Sequence, residues 1–216
     1  MNKESGYLEV VVGPMFSGKT SELQRRLRLA KIAGKKVIGF KYSKDMRYGE
    51  AMNTHDSISF DAVPFSSFQE ILDKSKEFEV VGVDEVQFAI LEDNYSSKNE
   101  YEEQCAKFVK EIKERLKDGV RFICAGLPTN FRGEPFNYLM NTMLGFADSI
   151  DSFSALCTYK ENTVQCNNKA TRTQRIVNGE AASYDDPLTL IGAKENYEAR
   201  CPLHHFVPRV GSRKMF

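Results

Sequence analysis

No stretch of this sequence approaches the roughly 20 consecutive apolar residues of a membrane-spanning helix. The opening residues, MNKESGYLEVVVG, carry charge where a secretory signal needs an uninterrupted apolar core. A membrane or secreted protein is therefore not expected, and the cytoplasm is. Nor is there an excess of charge of either sign. Lys and Arg together number 30, as do Asp and Glu, so no global field draws the chain to a nucleic acid or a membrane surface, and any basic function has to be local. Repeats and low-complexity tracts are absent too. Cysteine is scarce, with five residues, and in a cytosol these are thiols or metal ligands sooner than disulfides.

What is present is globular. The chain has 216 residues, 41% of them hydrophobic, enough to bury the core of an α/β domain and a smaller appendage. Short runs rich in Val and Ile alternate with segments of helical period. Strands are expected at 7–12, 35–42, 79–85 and 120–127, and helices at 19–34, 66–78 and 100–119. Nearly continuous apolar strands separated by helices imply a parallel sheet covered on both faces. Near residue 150 the rhythm changes to short pieces split by Asn, Gly, Asp and Pro, which read as small antiparallel hairpins with a long loop around 178–187. The expected domains are 1–151 and 152–206, followed by a loose basic tail at 207–216.

Between the first strand and the first helix, Gly13–Thr20 spells G-x-x-x-x-G-K-T. Glycines in that position let successive backbone N–H groups turn inward on phosphate oxygens. Lys19 can reach the β- and γ-phosphates, the Thr20 hydroxyl can ligate Mg²⁺, and the helix dipole favours the anion. A nucleoside triphosphate is the expected ligand. Asp84, at the end of VVGVDE, stands where such folds keep a carboxylate for magnesium, leaving Glu85 to polarise a water or accept a hydroxyl proton.

Two further features narrow the field. Cys157, Cys166, Cys201 and His204 offer two pairs of zinc-type ligands on expected turns. C-x-x-H in CPLH is ordinarily spaced, and a tetrahedral ion would staple a region too small to build a core. Eight residues separate Cys157 from Cys166, too many for a standard knuckle, and His205 is an alternative to His204. Cys105 and Cys124 lie singly in apolar contexts and read as core. The loop GLPTNFRGEPF (126–136) brings Phe131, Arg132 and Phe136 to a strand end, where α/β sheets bind ligands, although the same residues would serve to pack a connection.

In order along the chain, GPMFSGKTSEL, DMRY, HDS, DEVQF, AGLPTNFRGEPF, KATRTQR and IGAKENYEARCPLH resemble the thymidine kinase family of the cytosolic, zinc-containing type (type II). The resemblance implies a RecA-like P-loop core with a zinc-binding hairpin domain bearing a lid, or lasso, loop from about Ile176 to Tyr197. It implies transfer of the ATP γ-phosphate to the 5′-hydroxyl of thymidine, with Glu85 as general base. ATP would meet Gly13, Pro14, Met15, Phe16, Ser17, Gly18, Lys19, Thr20, Asp84 and Arg47, with Mg²⁺ at Thr20 and Asp84. Thymidine would lie between the two domains, near Met15, Asp45, Phe88, Leu127, Phe131, Phe136, Thr173, Leu188, Ile191, Gly192 and Tyr197. A structural Zn²⁺, a homotetramer and feedback inhibition by dTTP are implied as well. Three positions depart from the pattern: Ala89 replaces a common aromatic, Pro128 a common aspartate, and about six residues are inserted between Cys157 and Cys166, a loop whose closure entropy is small. The competing reading is a P-loop ATPase whose zinc module, with Arg172, Arg175 and the basic tail, acts on nucleic acid. The neutral net charge speaks against it.

Overall fold

A computed structural model describes residues 5–43, 51–52, 60–188 and 196–209. They divide into two compact units, one drawn from Met1–Val12, Lys19–Gly126 and Asn137–Ser152, the other from Gly13–Gly18, Leu127–Phe136 and Phe153–Phe216. The change of rhythm near residue 150 thus coincides with a division at Ser152, while the phosphate-loop residues and the 127–136 loop group with the later part of the chain. Among the described residues, no helix is long and apolar enough to cross a membrane.

The first unit is built on a six-stranded parallel sheet. Its strands are β1 (Leu8–Val12), β2 (Val37–Tyr42), β5 (Val63–Phe65), β6 (Val80–Val83), β7 (Arg121–Gly126) and β8 (Ser149–Ser152), in the spatial order β5-β2-β6-β7-β1-β8. A two-stranded ribbon, β3 (Ala51–Met52) with β4 (Phe60–Asp61), precedes β5. The central strands are buried over their whole length, as a sheet covered on both faces requires. Helix α1 (Lys19–Ile32) packs on one face, where Gly82 of β6 makes room for Leu27. Gly82 is paired with Ile123, and Gly126 lies an odd number of residues further along β7, so it faces the other way. There its missing Cβ admits Met140 of α4 (Tyr138–Phe146) and the side chain of Gln87.

Elements agree with expectation where the apolar period is strong. Helix α3 (Lys98–Lys117) opens on Ser97, whose hydroxyl accepts the Glu100 N–H, and buries Tyr101, Cys105, Phe108 and Ile112. Helix α2 (Phe68–Lys74) is shorter than the expected 66–78, because the Ser67 hydroxyl caps its start and the helix ends at Ser75. Among the strands and α-helices, the ribbon β3–β4, the strand β5, helix α4 and the edge strand β8 were not expected. The last of these is alternately half-buried and exposed, and SIDS carries no apolar period. One charge sits deep in the sheet. Glu9 of β1 is bonded by Arg26 of α1 at 2.6 Å and by Arg121 of β7, and Arg26 also reaches Asp151 of β8 at 2.9 Å, so one buried carboxylate ties four elements together.

The second unit consists of small antiparallel pieces. β9 (Ala155–Leu156) pairs with β12 (Lys169–Ala170), β10 (Lys160–Glu161) with β11 (Val164–Gln165), and β13 (Arg172–Val177) lies between β14 (Glu180–Ala181) and β15 (Asn196–Arg200). Its small core is Cys157, Ala170, Ala199 and Cys201. The tail expected to be loose from 207 is engaged through Arg209, since Pro208 accepts the Tyr184 N–H and Arg209 lies over the Tyr184 ring.

Gly82 sets how closely α1 approaches β6. A Cβ there would lie 2.6 and 2.8 Å from the two methyls of the fully buried Leu27. Gly82→Ala is expected to cost about 1–3 kcal/mol by overpacking, read as a lower denaturation midpoint, and to cost clearly less when Leu27 is first trimmed to Val. Equal losses in both backgrounds would refute the contact.

Candidate active site

The phosphate loop leaves β1 at Gly13, where a Cβ would meet the Ser17 hydroxyl at 2.6 Å and the Phe153 carbonyl at 2.7 Å, so only glycine fits. Within the loop Phe16 and Gly18 have positive φ of 64° and 82°, the turn that lets backbone N–H groups face inward. The Ser17 hydroxyl donates to the Pro14 carbonyl at 2.8 Å, and the Met15 N–H donates to Thr173 Oγ1 at 3.0 Å. The loop is therefore pinned by β13, through a threonine that the resemblance placed beside the nucleoside. The chain then enters α1 with Lys19, 6% exposed.

Asp84 closes this side of the site. It follows β6 directly and is buried. Its Oδ2 accepts the Thr20 hydroxyl at 2.8 Å and its Oδ1 the Glu85 N–H at 3.1 Å. Burial, with the neighbouring Glu85 charge, pushes its carboxyl from the ordinary 3.8 up to about 7, against the pull of Thr20 and Lys19. Such a carboxylate calls for a cation. Adjacent corners of a magnesium octahedron, with bonds of about 2.1 Å, are about 3.0 Å apart, close to the Thr20–Asp84 spacing, so the pair fits Mg²⁺.

Glu85 adopts a left-handed conformation at φ 52° and begins the single turn Val86–Phe88. A non-glycine residue held there stores strain of the kind found at functional sites. Its carboxylate accepts a short hydrogen bond from the Gln87 amide. Gln87 is completely buried, in the space that Gly126 leaves, and its carbonyl accepts from Asn137 at 2.8 Å. The sequence reading missed Gln87, although a lone amide in the apolar run after two acids was a usable signal. Phe88 stacks on Tyr42 with ring centroids 4.9 Å apart.

In the second unit, Leu127, Phe131 and Thr173 are buried, Phe136 and Tyr197 half-buried, and Leu188 about half exposed. Phe131 lies 5.0 Å from the guanidinium of the fully buried Arg175, and its carbonyl is bonded by His205 Nε2 at 2.9 Å. Asp45, Arg47, Ile191 and Gly192 lie outside the described residues.

The ligand atoms of Cys157, Cys166, Cys201 and His204 all lie within 4.8 Å of one another. Cys201 Sγ is 3.4 Å and Cys157 Sγ 3.7 Å from His204 Nδ1, and Cys166 Sγ is 4.0 Å from Cys201 Sγ. A zinc tetrahedron with bonds of about 2.3 Å to sulphur and 2.0 Å to nitrogen separates its ligands by about 3.5–3.8 Å, so the donor set fits a structural zinc. Burial opposes ionisation of Cys157, but backbone N–H groups of Cys201 and Tyr159 together with His204 bring its thiol down to about 7. His204 is the histidine of the cluster, while His205 serves Phe131.

Two outcomes follow from these sites. Because the folded-state pKa of Asp84 is raised, its contribution to stability is intact below about pH 4 and is lost as pH rises through about 7. In metal-free, nucleotide-free protein, Asp84→Asn is expected to match the parent below about pH 4 and to gain on it steadily up to about pH 7, reaching on the order of 4 kcal/mol in unfolding free energy at pH 8. A difference that does not grow with pH would contradict the buried charge. Cys201→Ser is expected to release about one zinc per chain by metal analysis and to raise the KM for the nucleoside. Full metal content in that variant would remove Cys201 from the ligand set.

Comparison with known proteins agrees with this geometry. The family model described as thymidine kinase matches residues 6–205. A curated protein named thymidine kinase, from Coprothermobacter proteolyticus, is 45% identical over 206 residues, covering 95% of this chain and 93% of its own length. The match runs from the first strand through the phosphate loop, the two acids and the Cys/His cluster, and on this ground the chain belongs to the thymidine kinase family.

Proposed function

We propose that the protein transfers the γ-phosphoryl group of ATP to the 5′-hydroxyl of thymidine, giving thymidine monophosphate for DNA precursor synthesis. The observation that carries the reading is the division of labour between two adjacent acids. Asp84 is engaged with Thr20 and with the Glu85 N–H, whereas the Glu85 carboxylate takes its hydrogen bond from Gln87. One acid serves a cation and the other a proton.

Gly13–Gly18 cradle the phosphates with backbone N–H groups, and the Lys19 ammonium offsets the charge that spreads over the transferred group. Thr20 and Asp84 would hold Mg²⁺, which neutralises charge on the β- and γ-phosphate oxygens. Glu85 accepts the proton as the 5′-oxygen bonds to phosphorus and the bridge to ADP breaks. By the family resemblance, Met15, Phe88, Leu127, Phe131, Phe136, Thr173, Leu188 and Tyr197 would meet the thymidine. Arg47 and Asp45 would serve the transferring phosphoryl region, and Ile191 and Gly192 the base. Structural zinc would fix the hairpins that carry β13 and β15. A homotetramer, feedback inhibition by dTTP and a place in the cytoplasm complete the proposal.

A panel of nucleosides assayed for ATP-dependent phosphorylation tests it. Thymidine-dependent release of ADP is expected, whereas ATP hydrolysis indifferent to nucleoside would replace the kinase reading with that of an ATPase. If Glu85 takes the hydroxyl proton, Glu85→Gln lowers kcat by about 10²–10⁴ with little change in the KM for thymidine. A loss confined to KM would leave Glu85 with positioning alone.

A further inference from the structure

In the second unit three separate pieces of chain meet at one residue, Tyr184. Its ring takes two guanidinium groups, Arg132 at 4.7 Å and Arg209 at 4.5 Å from the centroid. Its hydroxyl donates to Glu134 at 2.5 Å, and its N–H donates to the Pro208 carbonyl at 2.6 Å. The partners come from the 127–136 loop on one side and from residues 206–209 on the other. Both are fastened further. Arg132 donates to the Asp186 carbonyl at 2.9 Å, and Gln174 of β13 clips Phe206 with two hydrogen bonds, each 2.9 Å. Arg175 donates to the Pro187 carbonyl at 2.6 Å while lying over Phe131.

We infer that Tyr184 is a positioning residue for the nucleoside pocket and that the segment 206–209 is the clasp that holds it. The inference rests on the thymidine kinase reading above. Arg132 and Glu134 share a short loop with Phe131 and Phe136, which sets the aromatic wall of the pocket, and Leu188 follows directly on the segment that Arg132 and Arg175 hold. Tyr184 reaches both. Two cation–π contacts and a charge-assisted hydrogen bond on one side chain, with a main-chain bond from the same residue, are more than a surface turn needs. Four residues at 206–209 thereby act on a wall made more than seventy positions earlier in the chain. A basic tail that merely solubilised the protein would have no use for the Gln174 clip.

Four full-length variants test the clasp. Tyr184→Ala is expected to raise the KM for thymidine about tenfold, with kcat within about twofold and the KM for ATP unchanged. Arg209→Ala gives a smaller rise in the same constant, and Arg209→Lys, which keeps a cation over the ring, restores part of it. In the double variant Tyr184→Ala/Arg209→Ala the second change adds almost nothing, because both act through one contact. An unchanged KM for thymidine in folded, zinc-loaded Tyr184→Ala overturns the inference. So does a parallel loss in kcat, both KM values and thermal midpoint, which would make the contact a matter of stability only. Should the parent protein phosphorylate no thymidine, the function reading fails by itself. The clasp is then judged by amide exchange at Tyr184, which Arg209→Ala should accelerate and which, if unchanged, refutes it.

Discussion

A buried negative charge is the constraint on which the active site depends. Asp84 sits at the end of a fully buried strand with another acid beside it, and its proton is held to about pH 7 as a result. An isolated protein would be more stable without it. The surrounding structure makes sense only if cations are to come. Lys19 and Thr20 are presented by the first turn of α1, and α1 can lie so close to β6 because Gly82 has no side chain to hold it off. Helix position, glycine in the strand and the unfavourable carboxylate form one arrangement, which under the proposed function exchanges folding stability for affinity toward a nucleotide and its metal.

Glu85 is handled by a different device. Its backbone is forced into a conformation that a glutamate adopts only when its neighbours over-determine it, and the over-determination is visible. The Val86–Phe88 turn closes behind it, Gln87 is locked in a fully buried slot, and Gly126 and Asn137 complete that slot. The Glu85 carboxylate thereby has a partner of its own in Gln87, while Asp84 is held by Thr20 and by the Glu85 N–H.

The sequence made the local parts of this legible. The G-x-x-x-x-G-K-T spacing fixes the phosphate loop because its physics is contained in eight consecutive residues, and the central strands are legible because burial on both faces writes itself as unbroken Val and Ile. Parts that depend on contacts between distant segments were not legible. Gln87 acquires its role from Gly126, Thr173 pins the phosphate loop across more than 150 positions, and the 207–209 segment looks loose until Tyr184 is placed against it. The edge strand β8 has no apolar pattern, since it is paired on one side only and half open to solvent.

The cysteine pair exposes the same limit from the opposite direction. Eight residues between Cys157 and Cys166 are too many for a knuckle if they have to wrap around the ion, but they do not wrap. Lys160–Glu161 and Val164–Gln165 fold back on each other through a two-residue turn with Asn162 in the left-handed region, and the insertion leaves as a hairpin. At its base, the Cys166 N–H bonds to the Tyr159 carbonyl and the Cys157 N–H to the Asn168 carbonyl, which returns the two sulphurs to the geometry of a short loop. Spacing in sequence is thus a poor measure of spacing at a metal when the excess can pair with itself. What the cluster needs is a rigid base, and Tyr159 stacked on His204 with ring centroids 4.0 Å apart supplies one where Cys157, Ala170, Ala199 and Cys201 make too small a core to do so unaided.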